Sequence, residues 1–82
     1  MVGGAGVEVA SAVVYALPGL HDRVRTSLAS LPGVEIHAET PDGRFIVTVE
    51  GTATASAGDI LIGIHNLQGV LAAAMVSHYD NR

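Results

Sequence analysis

Four histidines have the widest chemical repertoire in this chain, because an imidazole can act as a metal ligand or as a general base near neutral pH. No two of them are four residues apart, which is the spacing that puts two metal ligands on one face of a helix. Ser77 and His78 are adjacent, but neighbouring residues of a strand point to opposite faces and cannot pair as nucleophile and base. We therefore expect no catalytic residue, no metal site and no cofactor.

Other common kinds of site also lack the residues that they require. Cysteine is absent, which excludes disulfides and thiol chemistry, and nothing argues for an oxidising compartment. The glycines within residues 3–6 precede a predicted strand instead of joining a strand to a helix, so they do not indicate a phosphate loop. The amino terminus has no basic residue before an apolar run, and the apolar stretch 69–76 is too short to span a bilayer. We expect a cytoplasmic protein that does not insert into the membrane.

The net charge indicates what kind of partner the chain can bind. Eight acidic residues against four arginines and no lysine give a net charge of −4, which opposes contact with phosphates. One phenylalanine and two tyrosines are also too few for the base stacking of an RNA-binding sheet. We expect no nucleic-acid partner, and a cationic partner fits the charge better.

The positions of the apolar residues predict six elements that must place any binding residues. Short β-branched runs indicate strands over 8–16, 34–39, 44–50 and 69–79, and apolar stripes at spacings of three and four indicate helices over 20–31 and 57–66. The hairpin turn is expected at 40–43, and Ser56 or Thr54 is expected to cap the second helix. Gly63 weakens that helix, so we expect it to pack closely against the sheet.

The order β-α-β-β-α-β predicts an α+β, ferredoxin-like sandwich with a four-stranded antiparallel sheet and both helices on one face. A weak repeat supports this order, because Leu31-Pro32-Gly33-Val34 and Leu67-Gln68-Gly69-Val70 put the same helix end and strand start in each half. We expect residues 1–7 to be a flexible terminus and residues 8–80 to be the single domain.

Strict alternation then predicts which residues line the face of the sheet that the helices leave open. In the second strand, Val34, Ile36 and Ala38 should face the helices, and in the fourth strand Val70, Ala72, Ala74 and Val76 should do so. The open face is then expected to carry Ser11, Val13, Tyr15, Ile46, Thr48, Leu71, Ala73, Met75 and Ser77, with an acidic rim of Glu35, Glu39 and Glu50. Such an apolar patch is compatible with ordinary surface, a dimer interface or a partner-binding surface.

Four segments of the chain are similar to the NapD family. They are Ser-Ala-Val-Val at 11–14, Leu-Pro-Gly-Val-Glu-Ile-His at 31–37, Asp-Gly-Arg-Phe-Ile-Val-Thr-Val-Glu-Gly at 42–51, and residues 64–79. The last segment is the most specific, because it runs from Asn-Leu-Gln-Gly-Val-Leu to Met-Val-Ser-His-Tyr. The similarity covers nearly the whole chain beyond the first few residues.

This resemblance implies a cytoplasmic chaperone that binds the twin-arginine signal peptide of NapA, the catalytic subunit of the periplasmic nitrate reductase. It also implies that the chaperone restrains export until the molybdenum cofactor of that subunit is inserted, and that the signal peptide docks on the sheet as a helix. The open face would receive the apolar stretch of the peptide. Carboxylates of Glu35, Glu39 and Glu50 would pair with its arginines.

Two other functions remain open from the residues alone. A ferredoxin-like regulatory domain could bind a small metabolite between two copies, although no polar cluster indicates such a pocket. A purely structural dimerising module is the other alternative. For the chaperone, we expect a monomer or a weak homodimer.

Overall fold

The computed structural model describes the backbone of residues 7–81 and the side chains of residues 9–77. The elements are β1 (Val7–Ala16), α1 (His21–Ser30), β2 (Val34–Glu39), β3 (Arg44–Glu50), α2 (Ala57–His65) and β4 (Val70–Asn81). Their order is the predicted one, and the outer ends of β1 and β4 extend one and two residues beyond the predicted strands. Residues 1–6, most of the terminus predicted to be flexible, lie outside the described residues.

The four strands form one antiparallel sheet in the order β2-β3-β1-β4, which confirms the ferredoxin-like fold. Both helices cover the same face, because the residues they bury are packed against one alternating set of strand residues. Val24 and Leu28 of α1, and Leu61 and Ile64 of α2, meet the buried side chains Ala10, Ala12, Val14, Ala16, Phe45, Val47 and Val49. Each large side chain buried there stabilises the fold by about 1.5–3 kcal/mol.

The two halves of the chain end their helices in the same way, as the repeat predicted. Gly33 and Gly69 have φ values of 81° and 94°, in the left-handed region that favours glycine. Val34 N donates to Leu31 O at 3.3 Å, and Val70 N donates to Leu67 O at 3.2 Å. The same turn therefore delivers the chain from each helix into the following strand.

The predicted cap of α2 is also present. Ser56 Oγ accepts a hydrogen bond from Asp59 N at 3.1 Å, and Asp59 Oδ2 accepts one from Ser56 N at 3.3 Å. This capping box satisfies two of the backbone groups that a helix start leaves without partners. Gly63, in contrast, does not pack against the sheet as predicted, because a Cβ added there would have no atom within 4 Å.

Extra residues interrupt the pairing of both outer strands. His37 is inserted in β2, between Ile36 opposite Val47 and Ala38 opposite Ile46. In β4, Leu71 and Val76 have no opposite residue in β1. Because side chains alternate with a period of two, one inserted residue exchanges the faces of the residues that follow, until a second insertion such as Val76 restores them.

The predicted burial of β4 is consequently wrong for most of its residues. Ala72, Ala74 and Val76 are exposed, although alternation placed them in the core. Ala73, predicted on the open face, packs against the core instead. Ala38 of β2 is likewise exposed, since it follows the extra residue of that strand.

Candidate binding face

The open face is the side of the sheet opposite the helices, and its residues within 9–77 form four rows across the strands. Directly opposed residues of antiparallel strands share a face, so the pairing defines each row. We name them the acidic row (Val9, Glu50), the polar row (Ser11, Glu35, Thr48, Ser77), the apolar row (Val13, Ala38, Ile46, Ala74) and the aromatic row (Tyr15, Arg44, Ala72). They follow one another along β1 in that order.

The described residues leave the middle of this face uncovered. Tyr15 and Ile46 keep 37% and 38% of their surface accessible, although they lie on the two central strands. Ser11, Val13 and Thr48 beside them are half-buried by their neighbours in the sheet. An apolar surface of this kind on a central part of a sheet is typical of a docking site.

One end of the open face is acidic. Glu50 and Glu35 are both exposed, and they lie on neighbouring strands one row apart. His37 Nε2 is 2.8 Å from Thr48 Oγ1 and 3.7 Å from Glu35 Oε1, so the inserted residue of β2 also reaches this face. The two carboxylates can accept hydrogen bonds from a guanidinium group of a partner.

Glu39 does not belong to this acidic end, which corrects its predicted place in the rim. It lies opposite the buried Phe45, and its two carboxylate oxygens accept hydrogen bonds from Arg25 Nε and Nη2 of α1, both at 2.7 Å. These bonds lower the pKa of Glu39 and raise the pKa of Arg25. The insertion of His37 is the reason, because it moves Glu39 to the helix side.

The other end of the open face carries a cation. Arg44 lies opposite Tyr15, and its Nη2 is 3.1 Å from Asp42 Oδ2 in the hairpin turn. A hydrogen bond from the Thr40 hydroxyl, followed by those from Arg44, lowers the pKa of Asp42. The turn therefore holds an exposed ion pair beside the tyrosine.

Two predicted residues of β4 lie on the opposite face of the sheet, and a third has no partner in β1 that assigns it to a face. Ala73 lies opposite the buried Val14, and Met75 lies opposite the buried Ala12, so both share the helix side of the sheet. Leu71 is an unpaired inserted residue with 66% of its surface exposed. Of the β4 residues predicted on the open face, Ser77 keeps its place.

Ala72, Ala74 and Ala38 occupy the open face instead, and alternation missed all three. Alanine occurs at three consecutive positions of β4, so hydrophobicity could not distinguish its two faces. A polar residue at one of those positions would have revealed the change of face.

A concave surface lies on the helix side of the molecule. It is a groove of about 340 Å³ lined by Leu31, Pro32, Thr52, Ala53, Thr54, Ala55, Ile60 and Gly63. Its polar side chains are two threonines, and Thr52 Oγ1 already accepts hydrogen bonds from the backbone of Thr54 and Ala55. Specific metabolite sites need convergent polar groups, so this groove does not favour the metabolite-sensing alternative.

Within residues 9–77, no three His, Asp or Glu side chains are grouped so that they could hold a metal ion. In the same part of the chain, no helix has the length and hydrophobicity needed to cross a bilayer.

A family model described as NapD protein matches residues 7–82. This chain belongs to the NapD family. It is 32% identical over 72 residues to Chaperone NapD of Escherichia coli strain K12, across 87% of this chain and 83% of that protein. The Shigella flexneri protein of the same name gives the same identity and the same coverage.

A solved NapD structure has the same fold. The solution structure of the E. coli Tat proofreading chaperone protein NapD superposes with a TM-score of 0.75 at 32% identity. The match covers 89% of this chain and 78% of the E. coli chain. The likeness of sequence and fold therefore extends over most of both chains.

Proposed function

We propose that this chain is a chaperone that binds the twin-arginine signal peptide of a periplasmic nitrate reductase, NapA, and restrains its export until the cofactor is inserted. It acts in the cytoplasm by binding alone, without catalysis, and as a monomer or a weak homodimer. Membership of the NapD family and the similarity to proteins named Chaperone NapD and Tat proofreading chaperone protein NapD support this proposal.

The observation that carries the proposal is an uncovered sheet face with acidic and apolar parts. A twin-arginine signal peptide has two consecutive arginines followed by an apolar stretch. The acidic row and Glu35 offer carboxylates to the arginines, and a planar guanidinium matches a carboxylate geometrically. The apolar row and Tyr15 offer a surface for one side of an apolar helix. A bound signal would be hidden from the export machinery.

Isothermal titration calorimetry with a synthetic twin-arginine signal peptide tests this function. We expect binding by the full chain, and weaker binding of a peptide in which glutamine replaces both arginines, because glutamine removes the charge and the guanidinium fork. Absence of binding at high micromolar peptide would overturn the proposal. Equal affinity for the two peptides would overturn the role of the carboxylates.

A matched pair of isoleucine variants tests the binding face itself. Ile46 on the open face is 38% exposed, and Ile62 on α2 is 61% exposed on the helix side. Complete burial of an isoleucine is worth about 1.5–3 kcal/mol, so burying the exposed part of Ile46 contributes about 0.6–1.1 kcal/mol. Ile46→Ser should therefore weaken peptide binding about three- to sixfold. Ile62→Ser should leave the affinity unchanged, and equal losses in both variants would contradict docking on the open face.

A further inference from the structure

The open face changes its polarity along the strands, from Glu50 at one end through an apolar middle to Arg44 at the other end. A path along β1 from Val9 to Tyr15 crosses the acidic, polar, apolar and aromatic rows in turn. A path across the strands stays within one row, and the two middle rows keep one character there: the polar row carries Ser11 and Thr48, and the apolar row carries Val13 and Ile46. A ligand whose character changes along its length fits this face in one alignment, parallel to the strands.

A twin-arginine signal peptide is such a ligand, because it is basic first and apolar afterwards. We propose that the peptide lies along β1 in one direction, with its arginines over the acidic and polar rows and its carboxyl-terminal turn beside Arg44. This orientation rests on the proposed function. The reverse direction would put the arginines beside Arg44 and the apolar turns over Glu35 and Glu50, which pairs like charges and leaves the carboxylates without partners.

The length of the face agrees with a bound helix. Val9 and Tyr15 are six residues apart in β1, which corresponds to about 20 Å of strand. A helix of about 13 residues has that length. Two arginines and a few turns of apolar residues therefore extend from the acidic row to the aromatic row.

Arg44 has a specific role in this orientation, as a positioning residue. The last carbonyl groups of a helix have no partners within the helix and carry partial negative charge, so a cation near them is favourable. The pair with Asp42 uses Nε and Nη2 of Arg44, which leaves N–H donors of the guanidinium for a ligand. Glu35 and Glu50 complement the opposite, positive end of the helix.

Paramagnetic relaxation measured on the isotope-labelled full chain tests the direction. Two versions of a synthetic twin-arginine peptide carry a nitroxide at the amino or the carboxyl end. The amino-terminal label should broaden the amide signals of Val9, Thr48 and Glu50, and the carboxyl-terminal label should broaden those of Tyr15 and Arg44. If each label broadens the signals expected from the other, or if both labels broaden the same signals, the orientation is overturned but the proposed function is left intact. If unlabelled peptide shifts no signal of the protein, the orientation and the proposed function are both overturned.

Charge reversal gives an independent measurement. Arg44→Glu should weaken binding about two- to fivefold, the range expected for one charge at a helix end. Arg23→Glu is the matched control, because Arg23 is an exposed arginine of α1 whose Nη1 donates to Gln68 Oε1 on the helix side. Equal effects of the two variants would contradict a positioning role for Arg44.

Discussion

The carboxylates at the acidic end of the open face make the sharpest prediction. Glu35→Gln combined with Glu50→Gln keeps the shape of both side chains and removes both charges. Each pair between an exposed carboxylate and an arginine contributes about 0.2–1 kcal/mol, so losing two weakens peptide binding by about 0.4–2 kcal/mol. The dissociation constant for a twin-arginine peptide should rise about two- to thirtyfold.

The structure supplies a control with the same change in net charge. Asp22→Asn combined with Glu39→Gln also removes two negative charges, but those carboxylates lie on the helix side and bind Arg25. We expect this control to bind the peptide like the unmodified chain. Calorimetry at low and at high salt adds a second measurement. Added salt screens exposed ion pairs, so it should reduce the difference in peptide affinity between the two variants.

The affinity of the control variant can refute the role of the acidic end. If the Asp22 and Glu39 variant loses as much affinity as the Glu35 and Glu50 variant, the arginines respond to the total charge and not to the acidic end of the open face. Circular dichroism of both variants checks that each has kept its fold.

The other predictions concern the stability of the fold. Gly63→Ala should stabilise the protein by about 1 kcal/mol in urea denaturation, because the alanine enters open space within a helix. Gly33→Ala should destabilise the protein by about 1–3 kcal/mol, since its Cβ would overlap the backbone oxygen of Glu50 at a φ of 81°. Ser56→Ala should cost about 1 kcal/mol in the same assay through loss of the cap. The pKa of Glu39 is lowered in the folded state, so its pair with Arg25 stabilises the protein above the ordinary pKa of 4.5 and is lost as pH falls through the lower folded value. Glu39→Gln should therefore lose less stability than the unmodified chain when denaturation is followed from neutral pH to below 4.5.

Each of these stability predictions has an outcome that contradicts it. A Gly33→Ala variant as stable as the unmodified chain would mean that the turn accepts a Cβ at this position. A destabilised Gly63→Ala variant would mean that the surface at Gly63 is not open. An unchanged Ser56→Ala variant would mean that the capping box does not stabilise α2. Identical acid profiles for Glu39→Gln and the unmodified chain would show that the pair with Arg25 contributes no pH-dependent stability.

The elements and their order could be predicted from the sequence because local residues determine them. Leu31-Pro32-Gly33-Val34 predicts its turn, since glycine readily adopts the positive φ that the turn requires. Ser56 and Asp59 likewise form a cap from residues three positions apart. These signals act over a few residues and do not depend on the neighbouring strands.

The facing of the outer strands could not be predicted in the same way. Alternation assumes unbroken pairing, and His37, Leu71 and Val76 break it, which becomes visible only in the register with the neighbouring strand. Glu39 illustrates the effect, because an acidic residue at the end of a strand looks solvated, whereas its actual partner is Arg25 of α1. The central strands β1 and β3 pair without interruption, and there the predicted facing of Ser11, Val13, Tyr15, Ile46 and Thr48 is confirmed.

The inserted residues have a consequence for how copies of this protein meet one another. A strand at the border of a sheet offers unpaired amide groups to any extended chain, and regular borders allow molecules to join into fibres. On β4 the insertions at Leu71 and Val76 divide the regular ladder into residues 72–75 and 77–81, and on β2 His37 interrupts it. These interruptions limit the length of regular border on both outer strands, which disfavours edge-to-edge assembly of a sheet that also has an uncovered apolar face.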